Sequence, residues 1–135
     1  PESVSSIGAM AFAYCTALST ITLPSGLTAL EDEVFWGCSA LQTVVLPDGL
    51  QAIGEWTFYE CKYLPSITLP ESLQTIGENA FANCESLESV SIPANMSSIG
   101  NFAFNSCDDL KAVAVSAACS LGECAFPKST EVSYY

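Results

Sequence analysis

The chain contains no histidine and no arginine, and lysine occurs only three times among its 135 residues. Without histidine, Ser-His-Asp triads, Cys-His pairs and histidine-bound metals are excluded. No phosphate-binding P-loop and no glycine-rich dinucleotide motif is present. Nucleic acids and anionic membrane surfaces both attract Lys and Arg, so neither is expected as a partner. We therefore predict no catalytic residues, no cofactor and no enzymatic activity.

Long apolar runs are absent as well. No stretch approaches the roughly 18 apolar residues of a membrane span, so we expect no membrane insertion in this segment. The sequence also lacks an initiator methionine and a signal-peptide pattern at its start. We expect it to be a fragment of a longer protein whose targeting sequence lies elsewhere.

The charge of the chain is almost entirely negative. Fifteen acidic residues stand against the three lysines, which gives a formal net charge of −12. One interpretation is that this charge keeps the protein soluble. The other is that it steers a basic partner towards the surface.

A period of 23 residues runs through the sequence. A period of this length is typical of a solenoid, in which each coil packs only on its neighbours. We divide the single domain 1–135 into repeats 1–23, 24–46, 47–69, 70–92 and 93–115 and a degenerate C-terminal coil 116–135. The columns that define the period are Pro1, Pro24, Pro47, Pro70, Pro93; Phe12, Phe35, Phe58, Phe81, Phe104; and Cys15, Cys38, Cys61, Cys84, Cys107.

The sequence of repeat 70–92 predicts the structure of one coil. Val90 and Ile92 alternate with serines, which indicates a parallel strand with its apolar side chains turned inward. The segment before Gly77 predicts a short second strand. Phe81 and Cys84 are three residues apart, so a single helical turn would place both on the inner face. The fold predicted is a solenoid with one parallel strand per coil forming a curved sheet, opposite a side of short second strands and single helical turns.

Seven cysteines allow two interpretations. They could form a disulfide framework, because thiols on neighbouring coils would lie near bonding distance. Parallel Cβ vectors favour the alternative, in which each cysteine is a small buried apolar residue with a free thiol. Cys119 and Cys124 are too loosely spaced for a zinc site, so no metal ligands are predicted.

The motif Ile76-Gly77-x-x-Ala80-Phe81-x-x-Cys84-x-x-Leu87-x-x-Val90-x-Ile92-Pro93 resembles the 23-residue BspA-like, or treponemal-type, leucine-rich repeat. The resemblance covers about residues 1–126, with departures at Leu30-Glu31 and in the last coil. It implies a leucine-rich repeat solenoid from a secreted or cell-surface protein, often an adhesin that binds host proteins or other cells. The family has no catalytic residues to transfer.

Aromatic side chains beside the buried columns are the first candidate binding surface. If they are exposed, they form a patch of the residue types that anchor protein interfaces, within an acidic surround. If they lie flat over their own coils, they only cover backbone. The candidates are Tyr14, Trp36, Trp56, Tyr59, Tyr63 and Phe102.

The outer face of the predicted strands is the second candidate surface. Its residues are small and neutral, and such residues are also ordinary strand formers with no further role. They are Thr20, Thr22, Thr43, Val45, Ser66, Thr68, Ser89 and Ser91.

One acidic residue recurs near the start of each turn, as at Asp32, Glu55, Glu78 and Glu123. This column could bind Ca²⁺ or act as paired carboxylates on a sugar, but it also fits residues that favour the start of a helical turn. We therefore predict a non-catalytic protein-binding or adhesion module with a basic or host extracellular partner. The alternatives are a spacer that positions neighbouring domains and, less favoured, a calcium- or carbohydrate-binding module.

Overall fold

The structure is a computed structural model that describes residues 1–135, and it shows a parallel solenoid built from short strands and turns. It contains no helix, and hence none of the length and apolarity that a membrane span requires. The strands are β1 (Thr20–Thr22), β2 (Ala29–Leu30), β3 (Thr43–Val45), β4 (Ala52–Ile53), β5 (Ser66–Ile67), β6 (Thr75–Ile76), β7 (Ser89–Val90), β8 (Ser98–Ile99), β9 (Ala112–Val115), β10 (Ser120–Leu121) and β11 (Glu131–Tyr134).

The odd-numbered strands confirm the prediction of one parallel strand per coil. Their register follows the repeat, with Thr20 opposite Thr43 and Ser66 opposite Ser89. Ladder hydrogen bonds join them as three pairs, β1 with β3, β5 with β7, and β9 with β11. The bonding is therefore interrupted after every second coil on this side.

The even-numbered strands confirm the second strand predicted before each glycine, and they form one continuous five-stranded parallel sheet. Glycine permits this close stacking. A Cβ atom added at Gly77 would lie 2.7 Å from the Glu55 nitrogen, and one added at Gly54 would lie 2.7 Å from the Glu31 carbonyl carbon. Glu31 occupies the glycine position in the second coil, where the first coil contributes no paired strand.

The single helical turns predicted between glycine and cysteine are wrong. These segments are runs of tight turns, in which hydrogen bonds such as Cys61 N to Phe58 O, at 3.1 Å, close three-residue steps. Alternate amides point to the next coil, as in the 2.7 Å bond from Phe58 N to Ala80 O. A helix would turn those amides along its own axis and lose the bonds between coils. Ten non-glycine residues adopt positive φ here, namely Met10, Tyr14, Glu33, Trp56, Glu60, Asn79, Asn83, Phe102, Ser106 and Cys124.

The core is a set of columns that run the length of the solenoid. Phenylalanine rings stack face to face from Phe12 to Phe126, with centroid separations between 5.0 and 5.5 Å. The cysteine column beside them has free thiols, and four of its five members are buried. Cys15 is exposed, so the prediction of a buried thiol is wrong for the first coil.

The last coil continues the stack, although its repeat differs in length from the earlier ones. β11 pairs in parallel with β9, and the buried Thr130 hydroxyl donates to the Leu110 carbonyl at 2.7 Å. This bond satisfies a polar group inside the coil where the earlier repeats have apolar residues.

Candidate functional site

Four aromatic side chains from three consecutive coils meet on the turn side of the solenoid. We call Tyr14, Trp36, Trp56 and Tyr59 the aromatic cluster. Trp36 is its centre, with ring centroids 5.9 Å from Tyr14, 5.8 Å from Trp56 and 5.5 Å from Tyr59. Trp56 and Tyr59 complete the group at 4.8 Å in an edge-to-face arrangement. These separations are those of attractive aromatic pairs.

The turn geometry of each coil places these rings. Trp36 and Tyr59 occupy equivalent positions in neighbouring coils, so stacking of the coils brings them together. Tyr14 lies over Gly37, where a Cβ atom would come within 2.7 Å of the Tyr14 ring. Glycine at this position thus leaves room for the Tyr14 ring to pack against the second coil.

The cluster remains accessible to solvent. Tyr14 is exposed, with 57% of its surface accessible, and the other three side chains are half-buried against one another. They lie against rings of adjacent coils and not only over their own backbone. Asn83 limits the cluster on one side, because its Nδ2 donates a 3.1 Å hydrogen bond to the Tyr59 hydroxyl.

Two of the predicted aromatic residues do not join this group. Tyr63 is the more exposed, at 63%, and its ring has no aromatic partner. Phe102 is half-buried in the fifth coil, also without a ring contact. The structure thus brings together four of the six candidates and leaves the other two apart.

Two acidic residues lie close to the aromatic cluster along the chain, and sequence reasoning did not single them out. Glu33 is linked to Trp36 by the 3.1 Å turn bond from Trp36 N to Glu33 O, and it occupies the position equivalent to Trp56 one coil earlier. Glu60 follows Tyr59 and is equivalent to Gly37. Aligning the repeats by their 23-residue period would have placed both acids beside the rings.

No basic side chain neutralises this region. Residues 1–61 contain seven acidic residues and neither lysine nor arginine. The one ion pair of the molecule joins Lys62 and Glu85 at 3.6 Å, and both side chains are largely exposed. The acids around the cluster are therefore left to interact with solvent or with a partner.

The second candidate surface lies on the outer side of the odd-numbered strands. All eight residues are exposed, and Val45, at 48%, is the largest apolar side chain among them. Three shallow recesses of about 320 to 490 Å³ lie on this face, and Thr68 and Ser89 contribute to their linings. No charged cluster or buried polar group marks one of these recesses as a binding site.

Two side chains at the position of the acidic column, Asp32 and Asn101, act between coils, whereas the sequence predicted a role at the start of their own turns. Asp32 Oδ1 accepts a 2.7 Å hydrogen bond from the Glu55 amide of the next coil. Asn101 Oδ1 does the same for the Glu123 amide at 2.8 Å. No three His, Cys, Asp or Glu side chains come close enough together to hold a metal ion.

The buried thiols act as structural donors. Cys38 Sγ donates to Phe12 O at 3.0 Å, and Cys84 Sγ donates to Phe58 O at 3.2 Å. Burial raises the pKa of Cys38 to about 11 and raises the pKa values of Cys61 and Cys84 further. A thiol that stays protonated near neutral pH is a poor nucleophile.

Comparisons with known proteins agree with the architecture. The family described as BspA type leucine rich repeat region matches residues 1–111 and 30–134 with six copies. A leucine-rich repeat protein from Treponema pallidum is 29% identical with a TM-score of 0.79, covering 94% of this chain and 65% of its own. One from Bacteroides ovatus is 34% identical with a TM-score of 0.80, covering 96% of this chain and 37% of its own.

A leucine-rich cell surface protein from Faecalibacterium prausnitzii is 25% identical with a TM-score of 0.57, covering 93% of this chain and 43% of its own. The chain thus spans less than two thirds of the length of each of these solved relatives. No curated protein sequence matches it.

Proposed function

This chain belongs to the BspA-type leucine-rich repeat family, and from that premise we propose that it is a non-catalytic, adhesive protein-binding module of a secreted or cell-surface protein. Leucine-rich repeat folds are typical of protein-interaction modules, because stacked coils offer an extended surface. The Faecalibacterium prausnitzii relative, a cell surface protein, supports the same location for this chain.

The aromatic cluster is the observation that supports binding most directly. Trp and Tyr are enriched among the residues that dominate interface energies, and here four such rings form one accessible patch. Trp56 and Tyr14 also adopt φ angles of 57° and 58°, which cost a bulky side chain about 1–2 kcal/mol each. Asn79 and Gly37 occupy the equivalent positions in neighbouring coils and fit this conformation more readily. Positive φ recurs at these positions in the other coils, as at Glu33 and Ser106, so it belongs to the repeat and the rings themselves support binding.

The test compares the parent chain with the double variant Trp36→Ala/Trp56→Ala for binding to a panel of immobilised extracellular-matrix proteins. We expect at least one protein to bind the parent saturably. The double variant should bind it at least about tenfold more weakly, which is the loss of one interface anchor. Biolayer interferometry gives both affinities.

The matched control is Tyr63→Ala, which removes an exposed aromatic residue outside the cluster. It should bind as the parent does. Equal binding by parent and double variant would move the binding site to the strand face, where Thr43→Lys/Ser66→Lys would then be the variant to measure. A panel without any saturable partner would contradict the proposed function.

A structural spacer is the second candidate function. The uninterrupted stack of phenylalanine rings and the continuous sheet of even-numbered strands favour it, because both make successive coils a stiff column. A spacer tolerates substitution of the whole aromatic cluster without loss of function in the longer protein. Binding of a calcium ion or a carbohydrate is a weaker alternative, for which the accessible rings could act as a sugar platform.

A further inference from the structure

We propose that the aromatic cluster binds arginine side chains from a basic segment of the partner protein. This inference rests on the protein-binding function proposed above and names the chemistry of the partner. The cluster and its bordering carboxylates form the site, and the arginine guanidinium groups stack on the rings.

Charge is the first argument. The molecule has a net charge of −12, and the only basic residue in the three coils that form the cluster is Lys62, which pairs with Glu85 of the next coil at 3.6 Å. Glu33 is three residues before Trp36 in the chain and Glu60 follows Tyr59, and neither is engaged in an ion pair. The negative charge of the molecule therefore attracts a basic segment as it approaches, and acidic residues are present where it would bind. An acidic partner is repelled.

The rings are the second argument. The face of an indole attracts a cation, and Trp does so more strongly than Tyr or Phe. Both tryptophans of the chain, Trp36 and Trp56, are in the cluster, and their planes are inclined by only 23°. Two half-buried indoles, with Glu33 and Glu60 close to them in the chain, supply the two kinds of group that bind a cation, an aromatic ring and a carboxylate.

The flat shape of the cluster surface favours an arginine guanidinium group over an ammonium ion. The shallow recesses of the molecule all lie on the strand side, so the cluster is a surface and not a cage around a small ammonium ion. A guanidinium group is planar, stacks flat on aromatic rings and forks onto a carboxylate at its edge. A compact lysine ammonium ion has a stronger hydration shell and gains less on such a surface.

The two tryptophans also make the test local. Because the chain has no other tryptophan, any change in indole fluorescence reports on the cluster. The probe is a ten-residue peptide of alternating arginine and glycine, compared with the same peptide built from lysine. We expect the arginine peptide to change the emission saturably and to bind several-fold more tightly than the lysine peptide, with affinity falling as salt is added.

Matched charge variants separate the site from the general charge of the molecule. Glu33→Gln/Glu60→Gln should weaken binding of the arginine peptide about tenfold, which corresponds to about 1.4 kcal/mol. Glu71→Gln/Glu88→Gln removes the same charge from exposed positions in the fourth repeat, and should change the affinity less than about twofold. Glutamine keeps the size of the side chain, so neither pair should disturb the fold.

Three results would overturn the inference. They are equal losses in the two double variants, equal affinity of the arginine and lysine peptides, and peptide binding that leaves the emission unchanged. Saturation of the cluster by maltohexaose without salt dependence would assign it to carbohydrate instead.

The inference and the proposed function can fail separately. A matrix protein that needs Trp36 and Trp56 but is unaffected by Glu33→Gln/Glu60→Gln would refute the arginine site and keep the protein-binding function. Specific binding of the arginine peptide without any tryptophan-dependent matrix partner would keep the site and count against adhesion to matrix proteins.

Discussion

The thiol of each buried cysteine in the column donates a hydrogen bond to the phenylalanine carbonyl of the preceding coil. The distances from Sγ to O are 3.0 Å for Cys38, 3.3 Å for Cys61, 3.2 Å for Cys84 and 3.1 Å for Cys107. A thiol is small enough for the crowded interior and still satisfies an otherwise unpaired carbonyl lone pair. A thiolate in the same place would lose this bond and its hydration.

Stability is therefore expected to fall in alkaline solution. An unfolded thiol ionises near its ordinary pKa of 9.0, whereas burial raises the pKa of Cys38 to about 11. Above pH 9 the unfolded chain binds fewer protons than the folded one, so the free energy of unfolding decreases as pH rises. The slope is about 1.4 kcal/mol per pH unit for each fully shifted thiol.

Urea unfolding between pH 8 and 11 measures this slope. Cys61→Ala serves as the control, because it lacks one raised-pKa thiol and should show a shallower decline from its own starting value. A free energy of unfolding that stays constant over this range would contradict the assignment of the thiols as buried, neutral donors.

At the scale of the element, the sheet of even-numbered strands owes its continuity to a column of glycines. Gly54, Gly77 and Gly100 each follow a short strand, and a Cβ atom at any of them would lie 2.5 to 2.7 Å from its nearest neighbour in the preceding coil. A Cβ atom here would point at the backbone of the preceding coil, and stacked strands are only about 4.8 Å apart, so there is no room for a side chain. Gly49, in a turn, has nothing within 4 Å of an added Cβ atom.

Gly77→Ala should consequently destabilise the protein by about 1–3 kcal/mol, because one coil must move away from the next. Gly49→Ala is the matched control, and we expect it to be neutral or slightly stabilising. Urea unfolding curves of the two variants give the comparison. Equal midpoints for both would show that the coils can separate without cost, contrary to the close approach in the structure.

At the scale of the whole molecule, short-range contacts hold neighbouring coils together, and long-range repulsion between acidic residues pushes them apart. The phenylalanine stack runs from Phe12 to Phe126 with ring planes within 11° of parallel. Acidic residues occur in every repeat and have only three lysines to balance them. The compact state therefore concentrates like charge along one axis, and the unfolded chain can spread it.

Added sodium chloride should raise the melting temperature. Raising the ionic strength from about 0.01 M to about 1 M shortens the screening length from about 30 Å to about 3 Å, which removes most repulsion between coils. We expect a gain of a few degrees, measured by circular dichroism.

The variant Glu71→Gln/Glu88→Gln has less negative charge to screen, so added sodium chloride should raise its melting temperature by less. Calcium chloride at matched ionic strength separates screening from ion binding, because only a specific site gives calcium an additional gain. A melting temperature that is independent of salt would refute the repulsion argument.

Much of the architecture could be predicted from the sequence because a fixed period makes every coil equivalent. The prediction of an inward alternation at Val90 and of a second strand before Gly77 is confirmed, since the alternation of side chains along a strand follows from the local sequence pattern. The six aromatic candidates could also be named from their positions. Which of them meet could not, because that depends on the conformation of the turns in stacked coils, which brings the Trp56 ring of the third coil to 5.8 Å from the Trp36 ring of the second.

The amino-acid sequence by itself determined the repeat length, the inward columns and the acidic character of this protein. Only the tertiary structure decided the conformation of the turns. The predicted helical turn is a local solution that satisfies the backbone within one coil. In the solenoid, alternate amides such as Phe58 N bond instead to the next coil, and residues such as Trp56 take positive φ to allow it. The stacked neighbour supplies the hydrogen-bond acceptors, and no single repeat contains that information.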